Sequence, residues 1–371
     1  MKNQLNIYLE EACGQGLSQG VFSGVSARVS VGKNRVRSRG WFSGGLTRLD
    51  QQGVAIEDQT RFDLASLTKP LATTLSILHL IELGKLDWEQ PCLTLLDRAI
   101  PKEKQGITIS QLLNHCSGLP AYRPYFEKYR PEAPLIGSFG LLNQIVAEPL
   151  DYLPGSRCHY SDLGFILLGA IVEKISGQSL AEIFRRTIAD PLHLADDLCF
   201  LPQGERLPWS LDLIAATEDC PWRHRVIQGE VHDEHCWLMG GVAGHAGLFG
   251  TSGGVLGLGE RILDCWQDRA NHPAFANPLL QRLLTSKHPS DSWCLGFDTP
   301  SPESSSSGSF FSPGSVGHLG FTGTSLWIDP QRDIVAVLLT NRVHPSRDNI
   351  KIRKFRPFFH DSLMQRIVAD L

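Results

Sequence analysis

The chain has 371 residues, 42% of them hydrophobic and 20% charged, with 35 basic against 39 acidic side chains and a formal net charge of −4. It is too apolar to be disordered, too near neutrality to suggest a nucleic-acid partner, and long enough to bury one large core or two lobes sharing an interface. No apolar run reaches the ~20 residues that span a bilayer, and the N-terminus lacks the apolar centre and cleavage site of a signal peptide, so the sequence reads as cytoplasmic with no membrane partner.

The first segment, MKNQLNIYLEEACGQGLSQG, reads as an amphipathic helix. Two β-rich runs then flank Gly32-Lys33-Asn34, a hairpin signal. From Ser66 to Leu83 the apolar residues recur at helical spacing and stop at Gly84, which places Pro70 in the first turn, where its missing N–H costs nothing. Thr108 with Gln111, and Ser179 with Glu182, are capping-box signals, and Ser161–Ile175 reads as a largely buried helix. Helical spacing continues over Gly254–Gln267 and Pro278–Ser286. The serine-rich run Ser301–Gly317 reads as an exposed loop. TSLWI and DIVAVLLTN are strand candidates joined through Asp329-Pro330-Gln331-Arg332, and a last helix covers Phe355–Leu371. With no internal repeat, the simplest packing pairs the two terminal hairpins in one antiparallel sheet covered by the terminal helices. The predicted class is α+β: one domain over 1–371, with a sheet lobe from 1–65 and 290–371 and a helical lobe from 66–289. The nine cysteines (13, 92, 116, 158, 199, 220, 236, 265 and 294) are scattered without a C-x-x-C, a pattern that predicts reduced thiols.

Three short elements carry candidate chemistry. Ser66-Leu67-Thr68-Lys69 puts a hydroxyl and an amine three residues apart on one helix face, at an N-terminus whose free N–H groups favour negative charge. That suits a serine nucleophile beside a proton-accepting lysine, although the spacing alone better fits a capping serine with a solvated lysine. Ser30 and Lys33 have the same spacing, but they fall in the hairpin. Tyr160-Ser161-Asp162 places a phenol at the start of the buried helix, and His318-Leu319-Gly320 opens the C-terminal strand region, where glycine lets a ligand approach the backbone. Each is unremarkable singly; the ordered set is what points to a site.

Together these residues resemble the serine β-lactamase and penicillin-binding-protein superfamily, particularly class C β-lactamases, D-Ala-D-Ala carboxypeptidases and related carboxylesterases. The resemblance rests on F-D-L-A-S-L-T-K-P (62–70), I-T-I-S-Q-L-L-N-H-C-S-G-L-P (107–120), P-G-S-R-C-H-Y-S-D-L-G (154–164) and G-H-L-G-F-T-G-T (317–324). It implies the β-lactamase/transpeptidase-like fold, acylation of Ser66, and proton transfers shared by Lys69 and Tyr160. It also implies a pocket edge at His318 and Gly320, and an oxyanion hole from the N–H groups of Ser66 and Phe321. Two departures bear on substrate. Asp162 stands where many members have Asn, and His318-Leu319-Gly320 replaces Lys-Thr-Gly, removing a cation and a hydroxyl that would grip a substrate carboxylate. Esterase-like members often have histidine there, so the expectation is a carboxylesterase-like hydrolase of a small ester or amide, without cofactor. A D-Ala-D-Ala carboxypeptidase or β-lactamase is the alternative within the fold, and a non-catalytic binder the alternative outside it. Lysine and tyrosine both titrate near 10, so either must fall by roughly 3 units, about 4 kcal/mol, to act as a base at neutral pH. With Asp162 holding Lys69 charged, the expectation is that Lys69 stabilises an ionised Tyr160, which takes the Ser66 proton.

Competing motifs are weaker. Gly250-Thr251-Ser252-Gly253-Gly254 matches G-x-S-x-G, but no parallel-strand run precedes it. Gly244-His245-Ala246-Gly247 reads as a turn bordering the pocket. Cys220, His224, His232, His235 and Cys236 could supply zinc ligands, but their spacing matches no standard finger, and the resemblance places V-H-D here without a metal. The expectation is therefore no metal.

Overall fold

In the computed structural model, which describes residues 2–33, 36–131, 137–273, 275, 277–287 and 291–370, the two ends of the chain meet in one five-stranded antiparallel sheet. Its order is Val36–Gly45, Gly24–Lys33, Ile334–Thr340, Ser325–Asp329 and Val316–Leu319. The N-terminal hairpin pairs with the C-terminal one through Gly24–Lys33 and Ile334–Thr340, from Val25 opposite Thr340 to Val31 opposite Ile334. Gly32 is not in the turn as the sequence suggests. It pairs with Arg37, and Lys33 with Val36, while residues 34 and 35 lie outside the described residues.

The strand alternation sorts the core into two layers. Val25, Ala27, Val29, Trp327, Ala336 and Leu338 face the terminal helices Lys2–Ser18 and Ile352–Asp370. Leu326, Ile328, Val335, Val337 and Leu339 face the other way, into the main core. There the helix Ser252–Trp266 lies on the sheet, and Gly259 permits the approach, because a Cβ at that position would stand 2.8 Å from the Val335 side chain. The Asp329–Arg332 connection is a tight turn in which the Asp329 carboxylate accepts from the N–H groups of Gln331 and Arg332, each at 3.0 Å.

Both capping boxes form, at Thr108/Gln111 and Ser179/Glu182. The buried helix spans Asp162–Ser176 and ends on Gly177 with φ of 71°. The helix expected from Ser66 to Leu83 is present but not uniform: Ala65–Leu67 is a tight 3₁₀ turn, Lys69–Thr74 is a wide π-type turn containing Pro70, and Leu75–Glu82 is α-helical before Gly84 at φ of +66°. Wide turns of this kind cluster at functional positions. The serine-rich segment is irregular but only partly exposed. Pro302–Ser304 are exposed, whereas Phe311 packs on Trp327 and the Ser312 N–H donates to Asp329 at 2.9 Å.

The expectation of nine reduced thiols is corrected. Cys116 and Cys158 are joined in a disulfide, and the other seven are free. The bond ties the chain just after His115 to the chain just before Tyr160, so a sequence separation of 42 becomes a fixed wall beside the site. Scatter along the sequence conceals this because pairing depends on where the loops return, not on their spacing.

Candidate active site

Ser66 stands on a turn held from three sides. Ala65 adopts φ of 48°, an uncommon conformation for a residue with a Cβ, and its N–H is caught by Asp63 at 2.8 Å. The Phe62–Asp63 strand pairs with Leu248–Gly250. From the edge of the main sheet, Thr322 donates to the Asp63 carbonyl at 2.7 Å and Thr324 to the Leu64 carbonyl at 3.1 Å. The threonines of G-H-L-G-F-T-G-T therefore fasten the third motif to the backbone just ahead of the nucleophile. Gly320 is required where it stands, because a Cβ there would lie 2.6 Å from the Leu64 carbonyl oxygen.

Ser66 Oγ accepts from Lys69 Nζ and from the Tyr160 hydroxyl, each at 2.9 Å. Two donors converging on one oxygen stabilise it as it develops negative charge. The Lys69 ammonium is wholly buried, with Asp162 at 2.7 Å and the carbonyl of His245 at 3.0 Å. Burial opposes its charge, but the neighbouring Asp162 carboxylate and Tyr160 more than offset this, so its pKa rises. Tyr160 is pushed up to about 12, chiefly by burial, although Lys69 pulls the other way. The resting pair is thus a charged Lys69 and a neutral Tyr160. The first half of the expected proton arrangement stands, and the ionised tyrosinate does not. The pair becomes a base only on losing a proton, and Asp162 sets how readily it does so. Asp162→Asn is accordingly expected to move the acidic limb of the kcat/KM profile to lower pH, because the group that holds the Lys69 proton is gone. An unmoved limb would take Lys69 out of the proton path.

Tyr160 is set by the start of the buried helix. Ser161 caps it, with its Oγ accepting from the Gly164 N–H and donating to the Pro120 carbonyl, and its own N–H donates to His115 Nδ1 at 3.0 Å. The phenol ring packs against His115 and Trp293 at ring-centre distances of 4.6 and 5.3 Å. His318, in the edge strand, is buried with Nδ1 on the Leu319 carbonyl at 2.7 Å. Burial, assisted by Lys69, lowers its pKa to about 3, so the imidazole is neutral and brings no charge to the edge-strand motif.

These groups line one cavity of about 680 Å³, which takes in Ser66, Tyr160, Asp162, His318, Gly320 and Phe321. The residues of the three hydrolase motifs come together there, with Lys69 beneath them, bonded to Ser66. The same cavity holds residues that sequence reasoning missed. Arg347 is clamped by Glu218 and Glu234, each with a contact at 2.5 Å. Arg356, from the C-terminal helix, is buried, donates to the carbonyls of Gly320 and Thr324, and has no carboxylate partner among the described residues. Burial lowers it to about 9, which leaves it charged at neutral pH. The strand motif itself supplies no cation, as its sequence suggests, but two arginines from beyond it line the cavity. Phe321 is half exposed at the rim and stacks on His232. His245, read as a turn residue, does border the cavity, and its Nε2 is hydrogen-bonded to Asp233 at 2.7 Å, which fixes the carbonyl that holds Lys69. No local pattern marks these arginines: Arg356 sits inside a helix pattern, where an arginine reads as solvated, and Arg347 sits in an irregular turn.

The competing nucleophile falls away on geometry. Ser252 is buried against Ser26 and Arg28, at 2.7 and 3.0 Å, at the head of the helix that lies on the sheet. The Cys/His segment does not close on a metal as a unit: His224 is exposed, His232 pairs with Glu218, and Cys220 accepts from the Arg223 N–H.

A serine flanked by lysine and tyrosine donors beside the edge of an antiparallel sheet defines a serine hydrolase of the β-lactamase/transpeptidase type. The comparisons with known proteins agree: the family model described as Beta-lactamase matches residues 9–356, and the chain belongs to that family. It is 32% identical over 327 residues to an Escherichia coli (strain K12) protein named "Putative D-alanyl-D-alanine carboxypeptidase", covering 80% of this chain and 72% of the relative. It is 31% identical over 317 residues to an N-acetylmuramyl-L-alanine amidase of Bacillus subtilis (strain 168), covering 78% and 69%. Among solved structures it shares the fold of EstCE1, a hydrolase with promiscuous acyltransferase activity, with a TM-score of 0.70 and 21% identity over 96% of this chain and 99% of that one. It likewise shares the fold of the octameric penicillin-binding protein homologue from Pyrococcus abyssi, with a TM-score of 0.71 and 18% identity over 98% and 80%.

Proposed function

We propose that the protein hydrolyses a small, carboxylate-bearing alanyl amide of the peptidoglycan type through an acyl-enzyme on Ser66. The observation that carries this is the pairing of Ser66, doubly hydrogen-bonded to Lys69 and Tyr160, with the Arg356 cation on the same cavity wall, which has no carboxylate partner among the described residues. Ser66 Oγ adds to the carbonyl carbon, and its proton passes through the Lys69–Tyr160 pair to the leaving nitrogen. Water then releases the acyl group by the reverse path. The backbone N–H groups of Ser66 and Phe321 hold the oxyanion, and Arg356 attracts the substrate carboxylate. The names of the two relatives, a D-alanyl-D-alanine carboxypeptidase and an N-acetylmuramyl-L-alanine amidase, support an alanyl amide. Ester cleavage is the second reading, and the neutral His318 favours it, because the strand motif itself contributes no charge.

Wild type and Ser66→Ala are to be assayed with a peptide ending in D-Ala-D-Ala, with N-acetylmuramyl-L-alanyl-D-isoglutamine and with p-nitrophenyl acetate. The expected result is amide turnover by wild type, with a covalent acyl adduct by mass spectrometry, and a loss of at least about 10³-fold in Ser66→Ala. Turnover of the ester alone transfers the assignment to an esterase. Turnover that survives in Ser66→Ala sinks the acyl-enzyme.

A further inference from the structure

One polar cluster on the cavity wall is not used by the acyl-transfer machinery as a whole. Ligand-capable atoms of Asp233, His235 and His245 all lie within 4.8 Å of one another. Both histidines are buried, at 0% and 1% exposure. Among the described residues neither ring nitrogen of His235 has a hydrogen-bond partner, and Nδ1 of His245 has none either. His235 is surrounded by the rings of Tyr122, Tyr125 and Phe126, at 5.0 to 6.0 Å. An unsatisfied buried polar group costs about 1–3 kcal/mol, and a neutral imidazole carries both a donor and a lone pair, so His235 as it stands bears that cost at two atoms. If packing alone were at work, any apolar ring would serve better among three aromatic neighbours.

The chemistry of the donor set suggests what would satisfy it. Two imidazoles and one carboxylate are the ligands of zinc-type ions, and three protein ligands leave a fourth position open. Bonds of about 2.0–2.2 Å in tetrahedral geometry hold ligand atoms roughly 3.4 Å apart, so the widest separation in the cluster has to close by little more than an ångström while the 2.7 Å contact of His245 Nε2 with Asp233 opens by less than one. The carboxylate is already oriented by accepting the Cys236 N–H at 2.8 Å, an anchoring bond of the kind that ligating carboxylates make. The Cys236 thiol is turned to the Ala246 carbonyl at 3.2 Å and is not one of the three. Asp233 and His245 also line the cavity that contains Ser66, so the open position faces substrate space.

We propose that Asp233, His235 and His245 form a three-ligand site for one divalent first-row transition ion of the zinc type on the wall of the cavity. The site draws on only one of the residues suspected from sequence, His235, because the fold separates the rest and brings in His245 from beyond the segment.

The test uses the full chain, stripped with a chelator and titrated with ZnCl2 and separately with CoCl2. We expect one equivalent of either ion to bind saturably. The cobalt form is expected to show two exchangeable, strongly shifted imidazole N–H proton resonances and no thiolate-to-cobalt band. His235→Phe, which keeps a ring among the aromatic neighbours, is expected to weaken binding by at least tenfold, about 1.4 kcal/mol. The absence of saturable binding by wild type, a thiolate band, or unchanged affinity in a folded His235→Phe would each overturn the proposal. If that variant fails to fold, the count of imidazole resonances in the wild-type cobalt form decides alone, two supporting the site and any other number refuting it.

Discussion

Lys69→Met is expected to lower kcat/KM for every substrate by about 10³-fold or more, the loss seen when a general base acting with a nucleophile is removed. The physical reason is the convergence on Ser66 Oγ. Without the amine, the oxygen loses one of two donors, and the serine proton loses the group that conveys it. The same substitution breaks a buried ion pair, leaving Asp162 next to an apolar side chain, and so is expected to cost about 3–5 kcal/mol of stability, discounted for the partial exposure of Asp162. The two effects separate in Lys69→Met/Asp162→Asn. Replacing both partners removes the uncompensated charge, so thermal unfolding should return most of the way to wild type while activity stays lost. Burst kinetics with p-nitrophenyl acetate and the unfolding midpoint measure the two quantities on the same preparations. Recovery of activity in the double variant would show that Lys69 acts only by keeping the site folded.

The elements with the strongest local signals were legible from the sequence because local physics decides them. Thr108 and Ser179 form their capping boxes, Gly84 ends its helix in the left-handed region, and the continuous apolar run in DIVAVLLTN yields the central strand. The ordered Ser66–Lys69, Tyr160 and His318 set was legible for another reason: each sits at the start of a helix or in an edge strand, positions that point side chains into a shared junction. What escaped is what long-range packing decides. Arg356 lies beside Phe355 in a helical pattern whose apolar residues account for its buried face, and only the closing of the C-terminal helix over Gly320 and Thr324 turns the arginine inward too. The Cys116–Cys158 bond depends on a loop returning across 42 residues. The wide turn at Lys69–Thr74 contains Thr73, whose hydroxyl donates to the Gly244 carbonyl at 2.7 Å, a partner 171 positions away that no local pattern announces. The charged state of the proton-transfer pair also lay beyond spacing arguments, because the burial that pushes Tyr160 up is a property of the assembled walls.

Gly169→Ala is expected to disable the enzyme from a position that touches no substrate. Gly169, within the buried helix, faces Gly244, and a Cβ on Gly169 would stand 2.7 Å from the Gly244 nitrogen and 2.9 Å from its Cα. The obstacle is backbone, so no side chain can rotate aside, and the 243–246 segment has to retreat. That segment carries two contacts that set the base: the Gly244 carbonyl on Thr73 and the His245 carbonyl on Lys69 Nζ. Alanine is the better helix former by about 1 kcal/mol, whereas overpacking a close backbone contact costs about 1–3 kcal/mol, so the net stability loss should be small, within about 2 kcal/mol. The effect on catalysis should be larger in proportion, since a displacement near 1 Å of a group that orients the base costs on the order of 10² in rate. The expected signature is a kcat lowered ten- to a hundredfold with KM little changed and an unfolding midpoint only a few degrees below wild type, because the cavity wall that contacts substrate is displaced less than the carbonyl behind Lys69. A Gly169→Ala enzyme with wild-type kcat and a raised midpoint would mean that helix propensity outweighs the contact, and that the hold of His245 on Lys69 does not limit the reaction.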